Sequence, residues 1–234
     1  MFDHFRAMKK PILVDAQLHR ELRVMPPTNF EFSQALEITP LGFSELLGVS
    51  MYYPVLFGTQ RGQIFPFAVL GTNGRNVYLD VEQRFKVDII PNLILNYPFS
   101  VIKKEDSEGQ EEWLVILDES QCQEEGFRIF EESGEESSYF QEVKKKLTDL
   151  ALDLQKALDF SQEVFQTQCL ELISELTFKS KYGSCVFKNA LIVNIERLRK
   201  LSPEKLYFYH SNGYLSILYS LYLSVRNFKL WDLI

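Results

Sequence analysis

His210 is the titratable residue whose surroundings most favour chemistry. It follows Tyr207, Phe208 and Tyr209, and Tyr214 lies four residues further on. An imidazole titrates near neutral pH and can serve as a general base beside such tyrosines. A hydrogen-bonded histidine at the corner between two helices would have the same sequence signature. The sequence therefore leaves His210 with two interpretations, one structural and one catalytic.

A metal site needs three or four ligands that converge on one point. The chain has three histidines and three cysteines, which are far apart and lack C-x-x-C or H-x-x-x-H spacing: His4, His19, His210, Cys122, Cys169 and Cys185. We therefore expect no metal. An odd number of cysteines cannot form a closed disulfide framework, so reduced and mostly buried thiols are predicted.

The common motifs of nucleotide binding and hydrolysis are absent from the sequence. There is no G-x-x-x-x-G-K-[ST] loop, no G-x-G-x-x-G, no G-x-S-x-G elbow and no H-E-x-x-H. These motifs supply phosphate cradles, nucleophiles and zinc ligands. We accordingly expect neither a cofactor nor an enzymatic activity.

Two aromatic and β-branched runs predict a strand pair. They are Met51–Phe57 and Ile64–Leu70, separated by the turn Gly58–Gly62, with a third strand expected over Asn76–Val81. Connections this short favour antiparallel pairing. Aromatic residues in strands, such as Tyr53, usually face the core, although they could also stack on a ligand.

Helical patterns dominate the second half of the chain. A short helix is expected over Asp88–Asn96, with Asp88 as N-cap. A capping box at Ser138–Gln141 and an apolar stripe predict a long helix that ends near Leu172. The remaining patterns predict a strand pair, a hairpin and two helices: Phe99–Lys103 with Trp113–Leu117, Ile173–Lys179 with Cys185–Lys188, a helix from Ser202, and Tyr214–Phe228.

These elements together predict an α+β fold, with a mainly antiparallel sheet, a long central helix and a C-terminal helical pair. We expect residues 1–38 to form an N-terminal extension packed on a single domain of residues 39–234. At 234 residues the chain is long enough to bury a core without disulfides or metal.

Charge is unevenly distributed along the chain. The net charge is −7, and residues 105–136 contain thirteen acids and only one base, Arg128. Binding to a nucleic-acid backbone needs clustered bases, so a nucleic-acid partner is not expected. The acidic loop lacks the D-x-[DN]-x-[DN]-G pattern of a calcium loop. A solvated loop that contacts a basic partner is favoured over a calcium site.

The chain has no secretory signal pattern, since only Ile12, Leu13 and Val14 follow Lys10 before Asp15. Leu206–Val225 is uncharged, but Asn212-Gly213 divides it into pieces too short to cross a bilayer. We therefore expect a soluble protein without a transmembrane span. It would be cytoplasmic, or reach the cell surface by a route without a cleaved N-terminal signal.

Three segments resemble the SapC-like proteins associated with bacterial surface layers. The central one, from Asp80 to Phe99, is similar to that family's signature and reads D-x-x-x-R-F-x-x-D-I-I-P-x-x-x-x-x-Y-P-F. The other two are Thr39–Val55, which leads into Tyr53-Pro54, and Glu196–Ser224, which contains His210. Together they cover about residues 38–228.

The resemblance implies a non-enzymatic accessory or interaction protein of the surface layer or its export, with a protein partner from one of those systems. It assigns no catalytic residues. A soluble small-ligand-binding domain, or an enzyme that uses His210, remains an alternative. The candidate binding residues are Arg84, Asp88, Tyr97, His210 and Tyr53; the first two could also pair locally, and Tyr97 could fasten the short helix to the sheet.

Overall fold

A computed structural model describes residues 7–60, 62–105 and 111–234. The fold is α+β, as predicted. The strands are β1 Pro11–Leu13, β2 Arg23–Val24, β3 Ile38–Pro40, β4 Val55–Gln60, β5 Gln63–Val69, β6 Gly71–Thr72, β7 Arg75–Asn76, β8 Phe99–Glu105, β9 Glu111–Asp118, β10 Phe127–Arg128, β11 Leu170–Ser180 and β12 Gly183–Val193. The α-helices are α1 Leu46–Val49, α2 Asn92–Leu95, α3 Ser138–Gln166, α4 Ile195–Leu198, α5 Pro203–Ser211 and α6 Tyr214–Ser224.

The largest sheet has five strands in the order β11-β12-β4-β5-β3, and every pairing in it is antiparallel. A second sheet has the order β1-β9-β8, and β10 pairs with β2. The predicted strand pairs β4–β5, β8–β9 and β11–β12 are all present. Strands β1 and β2 come from the predicted N-terminal extension, and both pair with strands from the later part of the chain.

The core lies where the central hairpin is covered by helices. Val55, Leu56 and Phe57 of β4 are all buried, although side chains alternate between the two faces of a strand. Helix α3 packs against β5, and α6 packs against β4 and β12. Burial on both faces explains why this segment is continuously apolar in the sequence.

Helix α3 begins and ends at positions that differ from the prediction. Its N-cap is Ser137, whose hydroxyl accepts from the backbone N–H of Phe140 at 3.2 Å, so the predicted cap at Ser138 was one residue late. The helix ends at Gln166 and does not continue to Leu172, because Gln168 has a φ of 58° and the chain then enters β11.

Helix α2 is shorter than predicted and begins after Pro91, which occupies the N-cap position. Asp88 is exposed and lies outside the helix, so its predicted capping role was wrong. A longer helix would also pass through Pro91, which has no N–H to donate. The backbone N–H of Asn92, the first helical residue, donates instead to the Glu45 carboxylate at 2.7 Å.

Two other predicted elements differ from the structure. The strand expected over Asn76–Val81 is not formed. Of its residues, Asn76 alone lies in a strand, at the end of the short hairpin β6–β7, whose turn residues Asn73 and Gly74 both have positive φ values. The last predicted helix ends at Ser224, and a 3₁₀ helix continues over Val225–Asp232.

The acid-rich part of the sequence extends over several elements. It includes β9, a 3₁₀ turn over Glu119–Gln121 and β10, and residues 106–110 of the predicted acidic loop lie outside the described residues. Across residues 7–60, 62–105 and 111–234, no helix combines the length and apolarity that crossing a bilayer requires.

Candidate binding groove

A groove of about 490 Å³ opens beside Tyr97. Its walls come from the segment before β1, from the segment before β3, from the end of α2 and from the 3₁₀ turn after β9. The lining residues are Ala7, Lys9, Pro27, Thr28, Asn29, Glu31, Phe32, Gln34, Ala35, Leu36, Tyr97 and Gln121. A cavity of this size is within the range that binds small ligands or a short peptide segment.

Tyr97 and Phe32 form the aromatic part of the groove. Their ring centroids are 3.8 Å apart and their planes differ by 9°, so the rings are stacked. Tyr97 is 6% exposed, while Phe32 is partly exposed. Stacking on a buried tyrosine fixes the Phe32 ring without closing the groove, which leaves a rigid apolar surface at its wall.

The Tyr97 hydroxyl is bound to a buried carboxylate. It donates to Oδ2 of Asp118 at 2.8 Å, and the backbone N–H groups of Lys9, Lys10 and Ser120 also donate to that carboxylate at 2.9 to 3.1 Å. Burial raises the pKa of Asp118, but these donors outweigh it and the net effect is a lowered pKa. Burial and the adjacent carboxylate raise the pKa of Tyr97.

Apart from four apolar residues, the rest of the groove wall is polar and mostly uncharged. Thr28, Asn29, Gln34 and Gln121 can each donate and accept hydrogen bonds, and Lys9 and Glu31 add one charge of each sign. An aromatic wall with amide and hydroxyl groups recognises polar neutral groups, including peptide backbone. The groove is therefore suited to binding a polar, uncharged ligand or an extended peptide.

The five predicted binding residues occupy different environments. Tyr97 alone of the five lines the groove, and Tyr53 is fully buried, with its hydroxyl donating to the carbonyl of Ile89 at 2.7 Å. Arg84 is exposed and pairs with Glu82, not with Asp88. The segment from Arg84 to Asp88 is not helical, so a spacing of four residues does not bring those two side chains together.

His210 is exposed on α5, while its neighbour Tyr209 points into the protein. The Tyr209 hydroxyl shares a 2.7 Å hydrogen bond with Thr167 and donates to Glu163 at 3.2 Å. Lys205 forms a 2.6 Å ion pair with the same Glu163 oxygen. This polar cluster fastens α5 to α3, and it does not include His210.

Glu45 was not among the predicted site residues, yet its carboxyl group is strongly perturbed. One of its oxygens accepts from the N–H of Gly42 and the other from the N–H of Asn92, both at 2.7 Å. Burial raises the pKa of Glu45 to about 7, and the nearby Asp153 carboxylate adds to the effect. The sequence does contain a signal for this site, because Glu45 is the only charged residue in the apolar stretch between Leu41 and Val49.

The three cysteines are free thiols, with Cys169 and Cys185 buried and Cys122 partly exposed. Burial raises the pKa of each thiol, to about 11 for Cys185. In the part of the chain that the structure describes, no three His, Cys, Asp or Glu side chains are grouped to hold a metal ion.

The fold and the groove define an α+β protein with a preformed, mostly polar pocket beside a buried tyrosine–carboxylate pair. Comparison with protein families gives a more specific assignment. The SapC family model matches residues 14–230, so the chain belongs to the SapC family. No curated protein and no solved structure matches the chain significantly.

Proposed function

We propose that the protein is a non-enzymatic accessory protein that binds a component of the bacterial surface layer or of its export system. Family membership supports the general assignment, and the resemblance of the signature segments supports the surface-layer connection. The groove beside Tyr97 is the observation that carries the binding role. Its wall presents a fixed aromatic ring and several amide groups, and the hydroxyl of Tyr97 is already engaged by Asp118.

A partner segment that enters this groove would find donors and acceptors on three sides. Gln34 and Ala35 are exposed at its rim, whereas Leu36 and Tyr97 are buried in its wall. An extended peptide could place an apolar side chain against Phe32 and bond its backbone to Asn29, Gln34 or Gln121. We therefore assign the protein partner to this face of the molecule.

The test uses Ala35→Trp, which fills the groove from an exposed turn position and removes no internal hydrogen bond. Ala16→Trp is the matched control, because Ala16 is also an exposed turn residue and lies outside the groove wall. Wild type should retain a surface-layer or secretion component from native lysate, Ala16→Trp should retain it too, and Ala35→Trp should lose it. If wild type enriches no such component, the proposed function is wrong. If both variants retain it, the groove is not the binding site.

A second candidate function is the binding of a small polar metabolite in the same groove. The volume of about 490 Å³ and the amide-rich wall favour it. A ligand screen by thermal shift should then find compounds that stabilise wild type and Ala16→Trp but not Ala35→Trp. A screen without any such shift contradicts this candidate and leaves the protein-partner proposal to its own experiment.

A further inference from the structure

Strand β11 lies at one end of the five-stranded sheet. Its inner edge pairs with β12 at ten positions, from Leu170↔Val193 to Ser180↔Gly183. Its outer edge has no strand partner among the residues that the structure describes. An unpaired edge of eleven residues presents a row of free N–H and C=O groups, which is a template for pairing with another strand.

The odd-numbered residues of β11 direct their backbone groups outward. Ser180 and Gly183 flank the two-residue turn of the hairpin, so the backbone groups of Ser180 point inward and bond to Gly183 of β12. Hydrogen bonding alternates along an antiparallel strand. The N–H and C=O groups of Glu175, Thr177 and Lys179 therefore point away from β12.

The side chains of the same three residues are exposed, and Glu175 and Lys179 carry opposite charges. Within the chain, Glu175 lies opposite Lys188 of β12, and Lys179 lies opposite Ser184. Lys179 thus has a neutral neighbour on its inner side. A carboxylate on its outer side would give it an opposite charge across the strands.

A second copy of β11 supplies that carboxylate when the two strands pair antiparallel with Thr177 opposite Thr177. In this register Glu175 of each copy faces Lys179 of the other, and Leu176 faces Phe178. The two-fold axis passes through the Thr177 pair, so both ion pairs form together. A shift that places Glu175 opposite Glu175 would instead set two like charges face to face, which is unfavourable.

We propose that the β11 edge is a homodimer interface, in which two copies pair antiparallel about Thr177 and join their five-stranded sheets into one continuous sheet. A dimer joined in this way is isologous, because each copy contributes the same surface. The proposal concerns a face formed by the β11–β12 hairpin, and it does not depend on the function assigned to the groove.

Charge reversal in two complementary variants tests the interface. Glu175→Lys sets its new ammonium group against Lys179 of the second copy, and Lys179→Glu sets two carboxylates against each other. Each variant alone should weaken the dimer about tenfold or more in sedimentation equilibrium. An equimolar mixture of the two variants should restore dimerisation, because both cross-strand pairs of the heterodimer then join an ammonium group of one chain to a carboxylate of the other. The double variant Glu175→Lys/Lys179→Glu should dimerise like wild type, because both opposite-charge pairs are rebuilt with their signs exchanged.

Glu142→Lys and Lys146→Glu make the same changes in net charge on exposed positions of α3, and both should dimerise like wild type. A wild-type chain that stays monomeric at all accessible concentrations overturns the proposal. So does a dimer that neither single variant weakens. If the single variants weaken the dimer but the double variant does not restore it, the proposed register is wrong. Circular dichroism of each variant establishes that the loss does not come from unfolding.

Discussion

The Tyr97 hydroxyl donates to Asp118 across 2.8 Å, and this bond joins the end of α2 to the end of β9. The same carboxylate accepts from the backbone of Lys9 and Lys10, so it also holds the segment that enters β1. One buried carboxylate therefore positions three parts of the groove wall.

Removal of the tyrosine hydroxyl should destabilise the protein. Tyr97→Phe keeps the ring stacked on Phe32 but leaves Asp118 without one of its donors, at a cost of about 1–3 kcal/mol. Asp118→Ala should cost more, because it also removes the acceptor for several backbone N–H groups. Urea unfolding monitored by circular dichroism measures both, with the largely exposed Tyr207→Phe as control. Equal stability of Tyr97→Phe and wild type would contradict this role.

Stability should fall between pH 4.5 and pH 7 because of Glu45. Its pKa is raised from 4.5 to about 7 in the folded protein, so the folded state binds the proton more tightly than the unfolded chain. The contribution is fully present below pH 4.5 and is lost as the pH rises through 7, amounting to about 3 kcal/mol. The pKa of Asp118 is lowered, so its contribution to stability is lost only at pH values below about 3.8, outside this range.

Glu45→Gln isolates that contribution, because it keeps the shape of the side chain and removes the titration. The free energy of unfolding of the variant should vary less between pH 5 and pH 8 than that of wild type. Asp153→Asn should reduce the slope in part, since it removes the nearby like charge. Parallel curves for wild type and Glu45→Gln would show that Glu45 titrates normally.

The start of α3 can be tested with two adjacent serines. The Ser137 hydroxyl accepts from the N–H of Phe140 and donates to the carbonyl of Arg128 at 2.6 Å, whereas Ser138 is exposed. Ser137→Ala should cost about 0.5–2 kcal/mol, and Ser138→Ala should be close to neutral. Chemical denaturation of both variants decides which serine is the cap. A larger loss of stability for Ser138→Ala than for Ser137→Ala would instead support the cap position expected from the sequence.

Thiol labelling should distinguish the three cysteines. Cys122 is partly exposed, while Cys169 and Cys185 are buried. Under native conditions Cys122 should react first with a thiol reagent, and slowly, because its raised pKa leaves little thiolate at neutral pH. The other two should react only after denaturation. Mass spectrometry of the labelled peptides provides the order of reaction, and early labelling of Cys185 would contradict the burial of its side chain.

The sequence predicted the strand pairs and the long helix because their apolar residues repeat at regular intervals. It placed boundaries less well, since neighbouring residues such as Ser137 and Ser138 have the same chemistry and only the geometry of the preceding turn selects between them. The sequence also predicts Asp88 as a helix cap, because an aspartate before an apolar run is a common N-cap residue. The structure assigns that position to Pro91 and gives the backbone N–H of Asn92 to a distant glutamate.

The groove was only partly accessible to sequence reasoning. Tyr97 was singled out by its place in the signature, but Phe32 and Gln121 come from segments without regular periodicity. Their proximity follows from the pairing of β1 with β9 and from the bonds to Asp118. Such contacts depend on tertiary structure, which local patterns do not report.

The β11–β12 ribbon pairs with β4 through Leu191 and Phe57, while the rest of its length reaches beyond that strand. Near its tip, Phe178 stacks on Phe228 at 3.6 Å. At the turn of the ribbon, the backbone N–H of Lys181 donates to Asp232 and the hydroxyl of Tyr182 donates to the main-chain oxygen of Ile234. The far end of the ribbon is therefore held by the last residues of the chain, and its stiffness depends on that segment.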